Sequence, residues 1–167
     1  MPGTKTVILE NAEILQKIDR IAWQILENNY NQQEIVLIGI ENKGTVISEL
    51  IGKALQRISD KAVVLGTVTV DKDNPTMNGM HLNCAKSLKG ASVVLVDDVL
   101  NSGRTLMYAT LPILAQAPRK LHTAILANRD HNRFPIKADY VGISLATTLK
   151  EHILFTNEGG EMQVALK

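Results

Sequence analysis

Four short segments rich in apolar and β-branched residues place the strongest constraint on how this chain folds. Two of them, Ile35–Ile38 and Val93–Val96, hold no polar residue, which is the pattern of a strand covered on both faces. The other two are 62–70 and 121–127. Between these segments, apolar residues recur at the spacing of one helix face. Strands that alternate with helices predict an α/β fold with a mainly parallel sheet flanked by helices.

Three helices are expected, one before the first of those strands and two between later ones. Asn11 is a favoured residue type at a helix start and is expected to cap the first helix, which ends near Asn28. Gly39 is expected to close the strand that follows. Pro112 lies inside the third predicted helix and is expected to kink or shorten it. The second and third helices are predicted at 44–55 and 105–117.

Two further segments complete the predicted order. Residues 71–92 are rich in Asp, Asn, Pro and Gly and are long for a structureless loop, so we expect a lid, or in part a short hairpin around Asn78-Gly79. Near the end of the chain, strands at 153–156 and 162–165 flank Gly159-Gly160. They predict a small C-terminal hairpin.

Composition excludes several classes of protein. The 167 residues carry a formal charge of +1, so the bulk charge does not indicate a strongly basic nucleic-acid binder. Cys84 is the only cysteine, which excludes an internal disulfide and a cysteine-rich metal site. The four histidines lack metal-type spacing, and no metal ligands are predicted. Without a repeat, a signal peptide or a membrane span, we expect one cytoplasmic domain over 1–167.

The most informative stretch is Val93–Thr105, which reads VVLVDDVLNSGRT. An apolar strand delivers Asp97 and Asp98 to its carboxyl end, where ligands of open α/β sheets bind. A turn of small residues then opens a helix. Gly103 permits close approach of the backbone, and the first N–H groups of the helix have no internal partners, which suits a phosphate.

These two halves predict complementary contacts with one ligand. Carboxylates accept hydrogen bonds from sugar hydroxyls and help to order Mg²⁺, while the helix start holds a phosphate. Together they describe a site for ribose 5-phosphate. The alternative is an Asp-rich turn and a helix cap without a ligand, because turns favour such residues.

The complete run resembles the phosphoribosyl-pyrophosphate (PRPP) motif of type I phosphoribosyltransferases. Leu37–Gly44 resembles the pyrophosphate loop of that family, and Asn128–Gly142 is similar to the segment after the fourth strand in the PyrR-type subfamily. PyrR-type proteins are uracil phosphoribosyltransferases that also regulate pyrimidine operons by binding RNA. The resemblance covers most of the chain and implies the type I phosphoribosyltransferase fold.

The resemblance also implies a set of site residues, with Mg²⁺ as cofactor and PRPP and a nucleobase as substrates. The carboxylates would hold the ribose 2′- and 3′-hydroxyls, and residues 101–105 would wrap the 5-phosphate. A strained cis peptide is expected within 41–44. The candidate catalytic residues are Asp97, Asp98 and Lys43. The candidate substrate-binding residues are Glu41, Asn42, Gly44, Leu100, Asn101, Ser102, Gly103, Arg104, Thr105, Arg129 and His131.

Three departures from the PyrR-type pattern leave alternatives open. The expected aromatic–Arg–acidic cluster of the lid is replaced by a sequence in which Asp71 and Lys72 substitute in part. Asn128 stands where Asp is usual, and Asp130 stands where Gly is usual. The base is therefore open between uracil, another pyrimidine and a purine. For Lys43, the alternative to a role in the site is a solvated surface amine. For His131, the alternative is a purely structural role.

Three functions follow from these observations. The first is a Mg²⁺-dependent phosphoribosyltransferase, with uracil as the expected acceptor. The second is a nucleotide-responsive RNA-binding regulator, and the third is a catalytically impaired PRPP- or nucleotide-binding protein. The resemblance also implies a homodimer or a higher homo-oligomer. An RNA surface would use basic residues on or near the first two helices, for which ordinary solvated helix surfaces are the alternative. Those residues are Lys5, Lys17, Arg20, Lys53, Arg57 and Lys61.

Overall fold

Strands and helices alternate along most of the chain. The computed structural model describes residues 5–167 apart from the side chain of Met77. The strands in this range are β1 (Thr6–Leu9), β2 (Glu34–Ile40), β3 (Ala62–Val70), β4 (Met80–Asn83), β5 (Ser92–Leu100), β6 (Lys120–Asn128), β7 (Tyr140–Ser144), β8 (Ile153–Glu158) and β9 (Glu161–Leu166). The helices are α1 (Asn11–Asn28), α2 (Lys43–Ile58) and α3 (Arg104–Leu114).

The strands form two sheets. The central sheet has the order β4-β3-β2-β5-β6-β7, in which only β4 runs antiparallel to its neighbour. The predicted α/β fold with a mainly parallel sheet is therefore confirmed. A second, antiparallel sheet has the order β1-β9-β8. It contains the predicted C-terminal hairpin, which turns at Gly159-Gly160 as expected.

The apolar strands are continuous because both faces of the central sheet are covered. Leu37 and Val94 pack with α1, α2 and the small sheet in one core. Val36 and Leu95 point the other way and pack with α3 in a second core. Since successive strand residues face opposite sides, each position in the middle of β2 and β5 is buried. No helix within residues 5–167 is long and apolar enough to cross a membrane.

Several predicted boundaries were wrong. Glu10, not Asn11, is the cap of α1, because Glu10 and Glu13 form a reciprocal capping box. Asn11 instead accepts a hydrogen bond from Met162 N at 3.3 Å. Gly39 does not close β2 but lies within it, paired with strands on both sides. Helix α3 contains Pro112 and ends at Leu114 instead of residue 117. The expected shortening of this helix is therefore confirmed; proline cannot donate a backbone hydrogen bond.

Two short strands were missed, and the lid segment was predicted only in part. β1 and β7 were not expected, since neither has an apolar pattern long enough to identify it. The expected hairpin exists as the antiparallel pair β3–β4. Its connection is the whole of 71–79 rather than a tight turn at Asn78-Gly79. The Asp71 N–H closes this loop on Gly79 O at 2.8 Å.

Candidate functional site

A cavity of about 370 Å³ opens at the carboxyl ends of β2 and β5, the two central strands of the large sheet. Most of the predicted site residues line it. The cavity residues are Ile40, Glu41, Asn42, Lys43, Val70, Lys72, Asp97, Asp98, Val99, Leu100, Asn101, Ser102, Gly103, Arg104, Thr105, Leu106 and Ile153. Residues from the end of β2 and from the β5–α3 connection thus share one opening, as the strand order requires.

Asp97 and Asp98 both line this cavity. The Asp98 backbone N–H donates to Asp97 Oδ1 at 2.9 Å. Burial raises the pKa of Asp97 well above its usual value, and the negative charge of Asp98 raises it further, while Lys72 opposes both effects. Two adjacent carboxyl groups in a partly desolvated cavity therefore favour a ligand that supplies hydroxyl donors or positive charge.

The start of α3 presents backbone donors to the same cavity. Gly103 adopts a left-handed φ of 83°, and a Cβ there would lie 2.8 Å from Ile136 Cγ2, so the turn requires glycine. The backbone bond from Met107 N to Gly103 O, at 2.9 Å, is the first of the helical ladder. The N–H groups of Thr105 and Leu106 precede that ladder and lack helical acceptors. This arrangement suits an anion.

The β2–α2 turn forms the opposite wall. Asn42 has φ 72° and ψ −105°, a strained conformation for a residue with a side chain. The cis peptide expected within 41–44 is not present, so that prediction was wrong, although strain occurs in the expected turn. A Cβ at Gly44 would lie 2.7 Å from Val96 O and 3.2 Å from Asp97 Oδ1. Glycine therefore allows α2 to begin directly against the acidic pair.

Six cavity residues were absent from the predicted site: Ile40, Val70, Lys72, Val99, Leu106 and Ile153. Lys72 is brought to the cavity by the β3–β4 connection, and its position in the lid segment was the available signal. Ile153, at the start of β8, reaches the cavity because the small sheet packs beside β5. No local sequence pattern predicts such a long-range contact.

Arg129 and His131 lie outside the lining of the cavity. The side chain of Arg129 is buried and donates to Thr147 Oγ1 at 2.8 Å. The Nε2–H of His131 donates to Thr147 O, also at 2.8 Å. The structure thus brings both side chains to the segment before β8 rather than to the acidic pair.

The basic residues proposed for an RNA surface are largely held by intramolecular contacts. Arg20 donates to the Val141 and Gly142 carbonyls on β7. Arg57 pairs with Asp19 at 2.6 Å. Lys61 donates to backbone carbonyls, and Lys5 to the Gln163 side chain. A continuous set of free cations on α1 and α2 is therefore not formed by these six residues.

The fold and the cavity define a known class of protein. Residues 5–158 match the phosphoribosyl transferase domain family, and the chain belongs to that family of enzymes. Among curated relatives, the Bifunctional protein PyrR of Geobacter sulfurreducens is 38% identical over 156 residues, which cover 89% of this chain and 88% of the relative. The Bifunctional protein PyrR of Leifsonia xyli subsp. xyli is 35% identical and covers 96% of both chains. The predicted similarity to PyrR-type proteins is confirmed.

Solved structures support the same fold. The hypoxanthine phosphoribosyltransferase of Trypanosoma cruzi superposes with a TM-score of 0.80 at 20% identity, covering 95% of each chain. A hypoxanthine-guanine phosphoribosyltransferase from Bacillus anthracis gives a TM-score of 0.68 at 20% identity, covering 85% of this chain and 84% of the other. The predicted type I phosphoribosyltransferase fold is therefore confirmed.

Proposed function

We propose that this protein transfers ribose 5-phosphate from PRPP to a nucleobase, with uracil as the preferred acceptor, and releases pyrophosphate. The observation that carries the proposal is the shared cavity of two unlike groups. Asp97 and Asp98 supply hydroxyl acceptors, while the start of α3 supplies backbone donors. A ligand with a polyhydroxylated ring and a phosphate at one end satisfies both.

In this proposal, the sugar and its phosphate lie along the β5–α3 connection. Asp97 and Asp98 accept hydrogen bonds from the ribose hydroxyls, which replace the water that burial removes. The 5-phosphate occupies the turn 101–105, where the N–H groups of Thr105 and Leu106 and the positive end of the helix dipole face it. Support comes from the lack of a helical acceptor for either amide.

The pyrophosphate group lies on the opposite wall. Lys43 and Lys72 line this side, and their ammonium groups neutralise the charge that grows on the leaving group as its bond to C1 breaks. Lys72 thus replaces the cation of the altered lid, although an ammonium lacks the bidentate reach of a guanidinium. A cation retained here favours turnover over the catalytically impaired alternative.

The residues present fit a magnesium ion that arrives with its substrate. Within residues 5–167, no group of three or more His, Cys, Asp or Glu side chains is placed to hold a metal. Mg²⁺ commonly uses one or two carboxylates together with substrate phosphates and water, and the carboxylates that line the cavity are those of Glu41, Asp97 and Asp98. When bound, the ion would neutralise pyrophosphate oxygens.

The proposed reaction needs little acid–base catalysis by side chains. A ring nitrogen of the base forms a bond to C1 while the bond from C1 to pyrophosphate breaks, through a transition state with oxocarbenium character. The bonding electrons leave with the pyrophosphate, which also takes up the proton that the ring nitrogen loses. The protein contributes by holding the two reactants in line and excluding water, which would compete as the nucleophile. The segment 71–79, which carries Lys72, lies beside the cavity and is suited to that exclusion.

A screen of five bases tests the proposal. The purified protein is given PRPP and Mg²⁺ with uracil, hypoxanthine, guanine, adenine or orotate, and the labelled nucleotide is measured. Uracil is expected to be converted fastest because the curated relatives are PyrR proteins. Preference for a purine would correct the base, and no conversion of any base would reject the enzyme. The Asp98→Asn variant serves as the control for contaminating activity.

A second candidate function is nucleotide-responsive binding of RNA, which the name "bifunctional" of the curated relatives favours. Filter binding at increasing salt tests it, because specific binding through phosphate contacts weakens steeply with salt. Absence of binding at low salt would eliminate this function. We also propose a homodimer or higher homo-oligomer, which sedimentation of the full chain tests.

A further inference from the structure

Arg129 is a buried cation that forms no salt bridge. Its exposed fraction is 9%, and no other charged residue within 5–167 is as buried. The salt bridges of this part of the chain join Arg57 to Asp19 and Lys86 to Glu34, and neither includes Arg129. A buried charge is unfavourable unless it is well hydrogen-bonded. The contacts that hold this guanidinium therefore indicate what it does.

All of those contacts converge on one short segment, residues 147–151, which we term the 147–151 turn. Arg129 Nε donates to Thr147 Oγ1 at 2.8 Å, and Nη2 donates to Thr148 O at 2.9 Å and to Leu149 O at 3.2 Å. His131 binds Thr147 O from the same loop. The Thr148 N–H donates to Glu151 Oε2 at 2.7 Å and lowers the pKa of that carboxyl group. The turn is thus fixed from several directions.

The backbone of Arg129 is joined to the cavity as well. Its N–H donates to Leu100 O at 3.0 Å, and Leu100 lines the cavity at the end of β5. Two residues after the 147–151 turn, Ile153 lines the cavity from the side of β8. Arg129 therefore connects Leu100, an apolar residue of the cavity lining, to the segment that leads to Ile153, another apolar residue of that lining.

Besides its charged and polar residues, the cavity lining includes apolar side chains, Leu100 and Ile153 among them. In the proposed function, phosphate lies at 101–105 and pyrophosphate lies beside Lys43 and Lys72. In this arrangement we place the base, which bonds to C1 of the sugar, beside the apolar lining residues Leu100 and Ile153. Apolar side chains suit the flat faces of an aromatic base, whereas the charged walls suit the anionic groups.

Resting on that function, we propose that Arg129 is a positioning residue for the nucleobase. It touches neither PRPP nor the base; it holds the 147–151 turn, and through it Ile153, at the distance from Leu100 that an aromatic ring requires. The planar fork of the guanidinium is needed because three acceptors on three successive residues must be bound together. Lysine keeps the charge but cannot span them.

Calorimetry with two kinds of ligand isolates this role without requiring turnover. Ribose 5-phosphate reports on the sugar and phosphate contacts alone. The 5′-monophosphates of uridine, inosine, guanosine, adenosine and orotidine add the base, and the one that binds wild type most tightly is used. Arg129→Lys is expected to weaken that nucleotide about tenfold and ribose 5-phosphate by less than about twofold.

A second variant tests the contact itself. Thr147→Val removes the acceptor of Arg129 Nε and is expected to weaken the nucleotide about threefold. The double variant should bind no more weakly than Arg129→Lys alone, because both changes remove the same hydrogen bond. Arg57→Lys is the matched control, since its side chain is 65% exposed and lies between α1 and α2.

Amide hydrogen exchange of the unliganded protein measures independently how firmly the 147–151 turn is held. The N–H groups of Thr148 and Glu151 should exchange faster in Arg129→Lys than in Arg57→Lys. If exchange rises while nucleotide affinity is unchanged, Arg129 holds the 147–151 turn but does not position the base, and the inference is wrong. Equal losses for both ligands, additive effects in the double variant, or no nucleotide that binds more tightly than ribose 5-phosphate also overturn it. A protein that binds nucleotide but converts no base contradicts the proposed function alone.

Discussion

The two sides of the cavity are built in different ways. The β5–α3 connection places the acidic pair, the glycine turn and the helix start within nine consecutive residues, 97–105. The apolar lining residues Leu100 and Ile153 are distant in sequence: hydrogen bonds join Leu100 to Arg129 and Arg129 to the 147–151 turn, which precedes Ile153 along the chain. The difference shows that the anion-binding groups lie close together in the sequence, whereas the placement of the apolar residues depends on tertiary contacts.

The largest expected effect comes from removing both charges on the local side. Asp97→Asn combined with Asp98→Asn should lower PRPP affinity and activity by about 100-fold or more, because hydrogen bonds from hydroxyls to charged acceptors are lost. Folding should be preserved, since the substitution relieves burial of the Asp97 carboxylate and its repulsion by Asp98. Calorimetry with PRPP and thermal unfolding measure the two outcomes. Unaltered PRPP affinity in the folded double variant would contradict the role assigned to the pair.

A second prediction separates strain from steric contact at the glycine turn. Gly103→Ala should lower the free energy of unfolding by about 2 kcal/mol or more, through left-handed strain and contact with Ile136. Ribose 5-phosphate binding should also weaken.

Gly90→Ala provides the matched control. Gly90 has φ 70°, but no atom lies within 4 Å of the position that a Cβ would take there, so only strain of about 1 kcal/mol is expected. Chemical denaturation measures both variants. Equal losses would show that the contact with Ile136 contributes nothing.

A third prediction concerns the cation of the lid. Lys72→Met should lower kcat about tenfold with a smaller change in PRPP affinity, because its charge acts mainly on the departing pyrophosphate. Lys89→Met, at an exposed position outside the cavity residues, is the control. Steady-state kinetics with PRPP as the varied substrate gives both constants. A tenfold rise in KM at unchanged kcat would assign Lys72 to ground-state binding instead.

The smallest expected effect is a dependence of stability on pH. Because burial raises the pKa of Asp97 above its usual value of 3.8, the folded protein binds more protons than the unfolded chain between the two pKa values. The contribution of Asp97 to stability therefore falls as pH rises through that interval, by about 1.4 kcal/mol per unit of difference. The Asp97→Asn variant should lack this part of the decrease in stability with rising pH. Urea denaturation at a series of pH values, compared with wild type, is the measurement, and parallel curves would contradict it.

The same contrast explains how far the sequence predicts the protein. Continuous apolar runs predicted the central strands, because burial on both faces leaves a local pattern. The acidic pair and the turn that follows it were equally local, and all of 97–105 lies at the carboxyl end of β5, where the sequence pattern placed it.

Long-range features were harder to predict. β7 is a short strand whose pairing with β6 depends on tertiary context. Glu10 caps α1 because its reciprocal capping box with Glu13 outweighs the intrinsic preference of Asn11 for the cap position. Arg129 was expected at the substrate, yet its side chain reaches a segment eighteen residues further along the chain. Contacts of this kind leave no periodic signal.

The most direct test of the central claim is the titration of ¹⁵N-labelled protein with ribose 5-phosphate, followed through the backbone amide resonances. The proposed site predicts that the largest shifts fall on residues 101–106, with Thr105 and Leu106 foremost, and that they are lost in the Gly103→Ala variant. Shifts concentrated in the 147–151 turn, or saturation without any change at the start of α3, would contradict the claim that this helix end binds the phosphate.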